Sequence, residues 1–178
     1  MASLFGHGLV AYTTSKIIDS KSNRLLLFLA ISSAVIPDID VLAFKFGIPY
    51  LHPLGHRGFT HSILFALLWS VSLALIFGKH RKLIFLVVLF LSTISHGLLD
   101  AITSGGRGVG FFIPFDNTRH FFSFRPIIVS PLGIENFFSE WGMQVILSEL
   151  KYIGIPCLVF LFINFILRNK NDNTNKQL

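Results

Sequence analysis

Charged side chains are scarce in this sequence of 178 residues. Asp, Glu, Lys and Arg together make up 13% of it, whereas 52% of the residues are hydrophobic and 20 are phenylalanine. A water-soluble domain carries charge on about a quarter of its residues, so this composition excludes an ordinary soluble domain. With a mean hydropathy of +0.67, the chain is predicted to lie largely in lipid as one compact unit.

Several other features are absent as well. Cys157 is the one cysteine, so no disulfide can form within the chain. The sequence contains no glycine-rich nucleotide loop and no Ser-His-Asp arrangement with a nucleophile elbow, which excludes the common nucleotide-binding and serine-hydrolase patterns. In a membrane chain the net charge of +6 reports topology rather than a nucleic-acid ligand. No nucleic-acid partner is therefore expected.

Five apolar stretches predict five transmembrane helices. A helix that crosses a bilayer needs about 20 predominantly apolar residues, and the stretch between Arg57 and Lys79 contains no Lys, Arg, Asp or Glu. The sequence therefore predicts an all-α polytopic membrane protein with about five passes. The predicted spans are residues 4–18, 25–44, 62–78, 83–99 and 152–167.

Basic residues predict which ends of these spans face the cytoplasm. They cluster in two short connections and in the tail, and the positive-inside rule places such clusters in the cytoplasm. The longer segments, residues 39–57 and 101–151, then face outward. We expect one membrane-embedded domain over residues 1–168 and a disordered cytoplasmic tail over residues 169–178. The basic clusters are Lys16, Lys21 and Arg24, then Lys79, Arg81 and Lys82, and finally Arg168, Lys170 and Lys176.

Histidines and acids collect on the predicted outer side. His96 and Asp100 are four residues apart, which places them on one face of a helix, one turn apart, where they can share a metal ion. Three further segments bring side chains of the same two types to that depth. The candidate metal ligands are His7, Asp38, Asp40, His56, His61, His96 and Asp100.

Each of these residues also has an ordinary structural interpretation, such as a hydrogen bond at a helix end or an Asp side chain bonded to a turn. The arrival of seven on one side nevertheless favours a metal site. Mixed imidazole and carboxylate ligands suit zinc first, or manganese or iron, and seven exceed what one tetrahedral zinc uses. One or two ions are expected. The sequence leaves open which of Asp38 and Asp40, and which of His56 and His61, are direct ligands.

Outward-facing arginines are candidates for holding a substrate. A guanidinium group binds phosphate in a bidentate fashion, and Arg57, Arg119 and Arg125 lie in the outer segments. Alternatively, they anchor the protein to anionic lipid. The long outer loop, residues 104–125, combines glycines with six phenylalanines, which fits either a lid or an interfacial anchor. Residues 135–151 predict a short surface helix.

Four motifs of the sequence resemble one known family. They are similar to those of the LexA-regulated inner-membrane metal-dependent hydrolases, the YdjM-like family, and the match runs from about residue 5 to about residue 116. The resemblance implies a metal site and hydrolase activity but names no substrate. The motifs are Gly6-His7-Gly8, Pro37-Asp38-Ile39-Asp40, His56-Arg57-Gly58-Phe59-Thr60-His61-Ser62 and His96-Gly97-Leu98-Leu99-Asp100.

The order of ligands resembles a second group, zinc-dependent phospholipase C and the related single-strand nucleases. These enzymes are helical and bind zinc clusters with a bridging aspartate, and their later histidines and acid have no counterpart here at matching spacing. The analogy implies that Asp100 bridges, that His96 completes a first metal site and that His7 reaches a second. Among the candidate ligands, Asp38, Asp100 and His61 are also the expected catalytic residues. The remaining ligands are one of His56 and His61 and one of Asp38 and Asp40.

These patterns together predict a metal-dependent hydrolase in a bacterial inner membrane. Its site would face the periplasmic or outer side, and its carboxy terminus would be cytoplasmic. A metal-activated water would attack an ester or phosphoester. A lipid or lipid-linked substrate is expected because access from the bilayer is lateral. The alternative is a non-enzymatic metal-binding transporter, sensor or envelope partner protein.

Overall fold

The protein is a bundle of α-helices. A computed structural model describes residues 1–131 and 139–175, and within these ranges it contains helices and two isolated β-bridges but no strand. The predicted all-α fold class is confirmed. The helices are α1 (Leu4–Ile18), α2 (Arg24–Val35), α3 (Ile63–Phe77), α4 (Lys82–Ala101), α5 (Glu140–Glu149) and α6 (Ile155–Asn175).

Polar side chains mark the starts of several helices. Asn23 accepts a hydrogen bond from the backbone N–H of Leu26 at the start of α2. Ser62 accepts one from Phe65 at the start of α3. Such caps satisfy backbone donors that have no partner within the helix, and this need is acute where the first turn enters lipid.

The second span changes helix type at Pro37. α2 leads directly into a 3-10 helix, Ile36–Phe46, with the proline in its first turn. Proline has no backbone N–H, so it cannot continue the α-helical hydrogen-bond pattern. The tighter 3-10 segment carries Asp38 and Asp40, which were predicted as metal-ligand candidates.

Three helical stretches are long and apolar enough to cross a membrane. They are Arg24–Phe46, Lys79–Ala101 and Glu140–Lys170. The last of these joins α5 to α6 through a π-helical turn, Leu150–Gly154. Two shorter helices complete the predicted order of five: α3 is apolar but has 15 residues, as does α1.

The carboxy-terminal segments differ in extent from their predictions. α6 continues to Asn175, whereas the sequence predicted a disordered tail from residue 169; no proline or glycine interrupts the helix there. The end of that tail, 176–178, lies outside the described residues. The surface helix predicted over 135–151 begins as α5 at Glu140 and runs on into the last span; its first residues, 135–138, are also outside the described ranges.

α4 is the central helix and packs against α1, α2 and α3. Its inner face buries Phe85, Val88 and Leu89 against Leu26 and Ala74. Small residues such as Ala74 allow close approach between helices in lipid. The packing fixes the carboxy-terminal turns of α4 inside the bundle, where they carry the His-x-x-x-Asp pair.

α6 presents large apolar side chains to the outside. Phe160, Phe162 and Phe165 are 58%, 64% and 61% exposed. A contiguous apolar surface of this kind marks a membrane or protein contact rather than a water-facing surface. It agrees with α6 as part of a membrane span.

One end of the bundle gathers the basic residues. The Arg81 guanidinium forms an ion pair with Asp19, which is buried in the turn after α1. Arg168 of α6 donates to the backbone carbonyl of Lys16 at 2.8 Å. The predicted cytoplasmic clusters therefore meet at one end of the helices, opposite the seven candidate metal ligands.

The Asp19 to Arg81 pair should make stability depend on pH. Burial raises the pKa of the Asp19 carboxyl, but the Arg81 guanidinium and the backbone N–H groups of the turn lower it more, so the net pKa lies below its usual value. The contribution is therefore complete above the ordinary carboxyl pKa and is lost as the pH falls through the lowered one.

We expect Asp19→Asn to lower the free energy of unfolding by about 2 kcal/mol at neutral pH, because a mostly buried arginine partner is left unpaired. The measurement is thermal unfolding in detergent micelles across a pH series. The variant should also lose the part of the acid-range dependence that Asp19 contributes. Asp116→Asn, at an exposed loop acid, is the control, and an equal loss in both variants would contradict the assignment.

Candidate metal centre

Four side chains from three chain segments converge in the bundle. Asp38 comes from the 3-10 helix after Pro37, His61 from a short 3-10 turn before α3, and His96 and Asp100 from adjacent turns of α4. One donor atom of each lies within 4.8 Å of the others. We call these four residues the cluster. It confirms the geometry expected for the His-x-x-x-Asp pair on one helix face.

The two imidazoles of the cluster face each other through Nε2. His96 Nε2 lies 3.1 Å from His61 Nε2 and 3.3 Å from Asp38 Oδ1. His61 Nε2 lies 3.7 Å from Asp100 Oδ2. These atoms surround one small volume, and all four side chains are buried or nearly so.

The outer hydrogen bonds of both rings fix which nitrogen carries the proton. His96 Nδ1 lies 2.7 Å from the carbonyl oxygen of Ala34, which can only accept. His61 Nδ1 lies 3.1 Å from the Thr60 hydroxyl oxygen, which accepts here because its own hydrogen is donated to Asp40 Oδ2, and 3.1 Å from that Asp40 oxygen. In neutral rings Nδ1–H therefore donates outward and each Nε2 presents a lone pair inward. Two inward lone pairs 3.1 Å apart repel unless a proton or a metal ion lies between them.

The carboxylates add two more unsatisfied atoms. Asp38 Oδ1 and Asp100 Oδ2 are buried without a hydrogen-bond partner in the described part of the chain. The Arg57 Nε lies 2.9 Å from Asp100 Oδ2 as an ion pair, but it lacks the alignment of a hydrogen bond. Buried polar atoms of native proteins normally have partners, so this donor set fits a cation.

Asp40 supports the cluster from behind. Its carboxylate accepts from the Arg57 backbone N–H at 3.0 Å and from the Thr60 hydroxyl at 2.7 Å, and it contacts His56 Nδ1 at 2.7 Å. Asp40, His56 and His61 also have donor atoms within 4.8 Å of one another. Because both oxygens of Asp40 are engaged, this second group orients His61 rather than offering free ligands.

The charge around His61 favours a positive occupant. Burial lowers the pKa of the His61 imidazole, but its contacts with the Asp100 and Asp40 carboxylates outweigh that effect and raise the pKa to about 9. The same carboxylates would attract a divalent ion to this position.

His7 lies beside the cluster. Its ring stacks on that of His96 with centroids 3.8 Å apart and planes 12° apart. His7 Nε2 lies 3.5 Å from Asp100 Oδ1, and neither ring nitrogen has a hydrogen-bond partner among the described residues. The structure therefore brings His7 next to Asp100, at the edge of the four donor atoms.

Arg57 is buried rather than outward-facing, with 0% exposure. Besides Asp100, its guanidinium contacts the carbonyl of Gly105 at 3.0 Å and the hydroxyl of Thr103 at 3.2 Å. These contacts use its nitrogens within the protein. A substrate role for Arg57, predicted from the sequence, would require this arrangement to open.

The other two predicted substrate arginines lie farther out. Arg119 donates to backbone carbonyls of the 50–56 loop, including that of His56 at 3.0 Å. Arg125 lies over the Phe121 ring at 4.5 Å. Both belong to the loop of residues 104–125, whose two arms are joined by the isolated bridge between Val109 and His120. Their substrate role stays a prediction.

Two contributors were not anticipated from the sequence. The Ala2 backbone N–H donates to Asp100 Oδ1 at 2.9 Å. Glu149, buried in the last span, accepts from both the backbone N–H and the hydroxyl of Ser3. An acid in an otherwise apolar stretch was the available signal for Glu149, whereas a backbone donor has no sequence signature.

Comparison with known proteins agrees with this architecture. The family model described as YdjM inner membrane protein matches residues 1–172. The chain belongs to the YdjM inner membrane protein family. It is 40% identical over 155 residues to inner membrane protein YbcI of Escherichia coli (strain K12), covering 83% of this chain and 84% of that protein. No solved structure matches. The resemblance seen in the sequence is confirmed, and this YdjM-family chain is an inner membrane protein.

The buried position of the Arg57 guanidinium should require a glycine at position 106. Gly106 has a φ of +90°, and a Cβ there would lie 2.4 Å from Arg57 Nη1. We expect Gly106→Ala to lower the free energy of unfolding by about 2 kcal/mol or more, through backbone strain plus displacement of the guanidinium. Thermal unfolding in detergent is the measurement.

Gly47→Ala is the matched control. Gly47 has a φ of +73°, and a Cβ at this position would have no neighbouring atom within 4 Å. The substitution therefore carries the backbone cost alone, about 1 kcal/mol. Equal destabilisation by the two substitutions would show that the Arg57 contact contributes nothing.

Proposed function

We propose that this inner membrane protein is a metal-dependent hydrolase whose cluster of Asp38, His61, His96 and Asp100 binds a divalent ion. The supporting observation is the convergence of two imidazole lone pairs and two unsatisfied carboxylate oxygens on one buried volume. Two histidines and two aspartates are ligand types used by zinc, manganese and iron. The proposed substrate is an ester or phosphoester of a lipid or lipid-linked molecule.

Of the one or two ions expected from the sequence, one suits the arrangement better. The two groups of candidate ligands share His61, and Asp40 is already engaged by Arg57, Thr60 and His56. A divalent ion supplies two things when bound, a lowered pKa for a coordinated water and stabilisation of developing negative charge. The four residues of the cluster hold it, and Asp40 keeps His61 in the tautomer that can bind.

The exposure of the four side chains indicates the side from which a substrate reaches the cluster. Asp38 has a side-chain exposure of 14%, whereas those of His61, His96 and Asp100 are 0%. A substrate therefore reaches the cluster past Asp38. Arg57 lies against Asp100, where its positive charge would support negative charge that forms during hydrolysis.

The number of protein ligands bears on which metal could support hydrolysis. Four protein ligands close a tetrahedral zinc site, whereas hydrolysis needs an open coordination position. Manganese or iron in octahedral coordination would leave two positions for water and substrate. Zinc would serve hydrolysis only if its coordination expands, so the identity of the metal separates a catalytic site from a structural or sensing one.

The experiment is elemental analysis of protein purified in mild detergent. We expect near-stoichiometric zinc, manganese or iron in wild type and its loss in both His96→Ala and Asp100→Ala. His80→Ala, at an exposed histidine of the basic end, should keep the metal. The loaded protein is then assayed on phospholipid and phosphodiester substrates, and each cluster variant should lose activity while remaining folded.

A graded variant tests the supporting role of Asp40. Asp40→Asn keeps the shape but weakens the hold on His61, so metal affinity should fall about 10- to 100-fold. If the wild-type protein contains no metal even after zinc, manganese or iron is added, the proposal is overturned. Bound metal without hydrolysis of any ester would favour the non-enzymatic transporter, sensor or envelope partner.

We also propose that the cluster faces the periplasm, because the basic end of the bundle should lie in the cytoplasm. In a Cys157→Ser background, Lys45→Cys near the cluster end should react with a membrane-impermeant maleimide in spheroplasts. Lys21→Cys at the basic end should react only after lysis. Both positions are exposed, and the reverse pattern would invert the topology.

A further inference from the structure

An open groove runs along the second span next to the cluster. Its volume is ≈ 510 Å³, within the range of pockets that bind small molecules. Apart from one hydroxyl and one carboxylate its walls are apolar. The groove is lined by Ile31, Ser32, Val35, Ile36, Asp38 and Ile39.

The groove is continuous with the cluster. Asp38 belongs to both, and its Oδ1 lies 3.3 Å from His96 Nε2. The same stretch of helix supplies the Ala34 carbonyl, which lies 2.7 Å from His96 Nδ1. A molecule in the groove would therefore place its polar end at the partly exposed member of the cluster.

The polar and apolar ends of the groove follow one another along the span in the same order as those of a membrane lipid. Within the span Arg24–Phe46, Asp38 lies eight residues from the Phe46 end and Ile31 lies fifteen residues from it, so the two are roughly 10 Å apart along the helix axis. The carboxylate end of the groove is thus the one nearer to the Phe46 end of the span, and the isoleucine end lies deeper in the span. A lipid places its ester groups and its acyl chains in the same order.

We propose that this groove binds one acyl chain of a membrane lipid, with the ester end of that lipid at Asp38. The inference rests on the proposed function, in which the cluster acts on a lipid, and adds where the chain of that substrate lies. It assigns Val35 and Ile39 as the walls that contact the chain.

The test is photolabelling in proteoliposomes of phosphatidylethanolamine that contain a small fraction of a phospholipid with a diazirine in its acyl chain. Adducts are mapped by mass spectrometry. We expect labelling of residues 31–39 that saturates as the probe fraction rises and exceeds several-fold the labelling of α6. Exposed Phe162 of α6 reports ordinary lipid contact and should be labelled in linear proportion to the probe.

Variants that fill the groove make the test specific. Ile39 lies at the rim of the groove and is 58% exposed, so the fold should tolerate Ile39→Trp. Val35→Trp would fill the groove more deeply. Both should reduce the saturable labelling several-fold, whereas Phe162→Trp should not. Linear labelling of 31–39 like that of α6, or saturable labelling that neither Trp substitution reduces, would overturn the inference.

The outcome is separable from that of the proposed function. Labelling requires neither a metal nor hydrolysis, and metal content is measured on the same samples. Saturable labelling without bound metal would support the groove and reject the hydrolase, whereas bound metal with linear labelling would reject the groove alone.

Discussion

The buried carboxylate of Asp100 is the charge around which the site is built. Its exposure is 0%, and a charge in that position is costly unless it is compensated. Compensation comes from separate parts of the chain: the Ala2 backbone N–H, the Arg57 guanidinium and the imidazoles of His7 and His61. Removing any of these segments would leave the charge less compensated, so the ends of several elements are held together by one electrostatic requirement.

A second requirement comes from the bilayer. Backbone groups in lipid must be satisfied internally, so the spans are helical. Two departures from the α-helix lie beside acidic side chains: the 3-10 segment after Pro37 holds Asp38, and the π-helical turn follows Glu149. The basic residues and the cluster lie at opposite ends of the bundle.

The positions of the spans and of the His-x-x-x-Asp pair could be predicted from the sequence, because they depend on local periodicity. Apolar runs located the spans, and the four-residue spacing of His96 and Asp100 placed them on one helix face. The separation of direct from supporting residues was not readable. Asp38 and Asp40 differ by two positions, yet one points at the cluster and the other at His56. Arg57 was expected outside because loop arginines usually face solvent, but its charge is needed against Asp100.

The sequence by itself determined the membrane class, the helical architecture and the set of histidines and acids from which a site would be drawn, since hydropathy and charge act within each segment. Only the tertiary structure decided which four of those side chains meet, which nitrogen of His61 and His96 faces inward, and that Arg57 and Ala2 help hold Asp100. These outcomes depend on contacts between residues far apart in the chain, for which low local dielectric and packing set the energies.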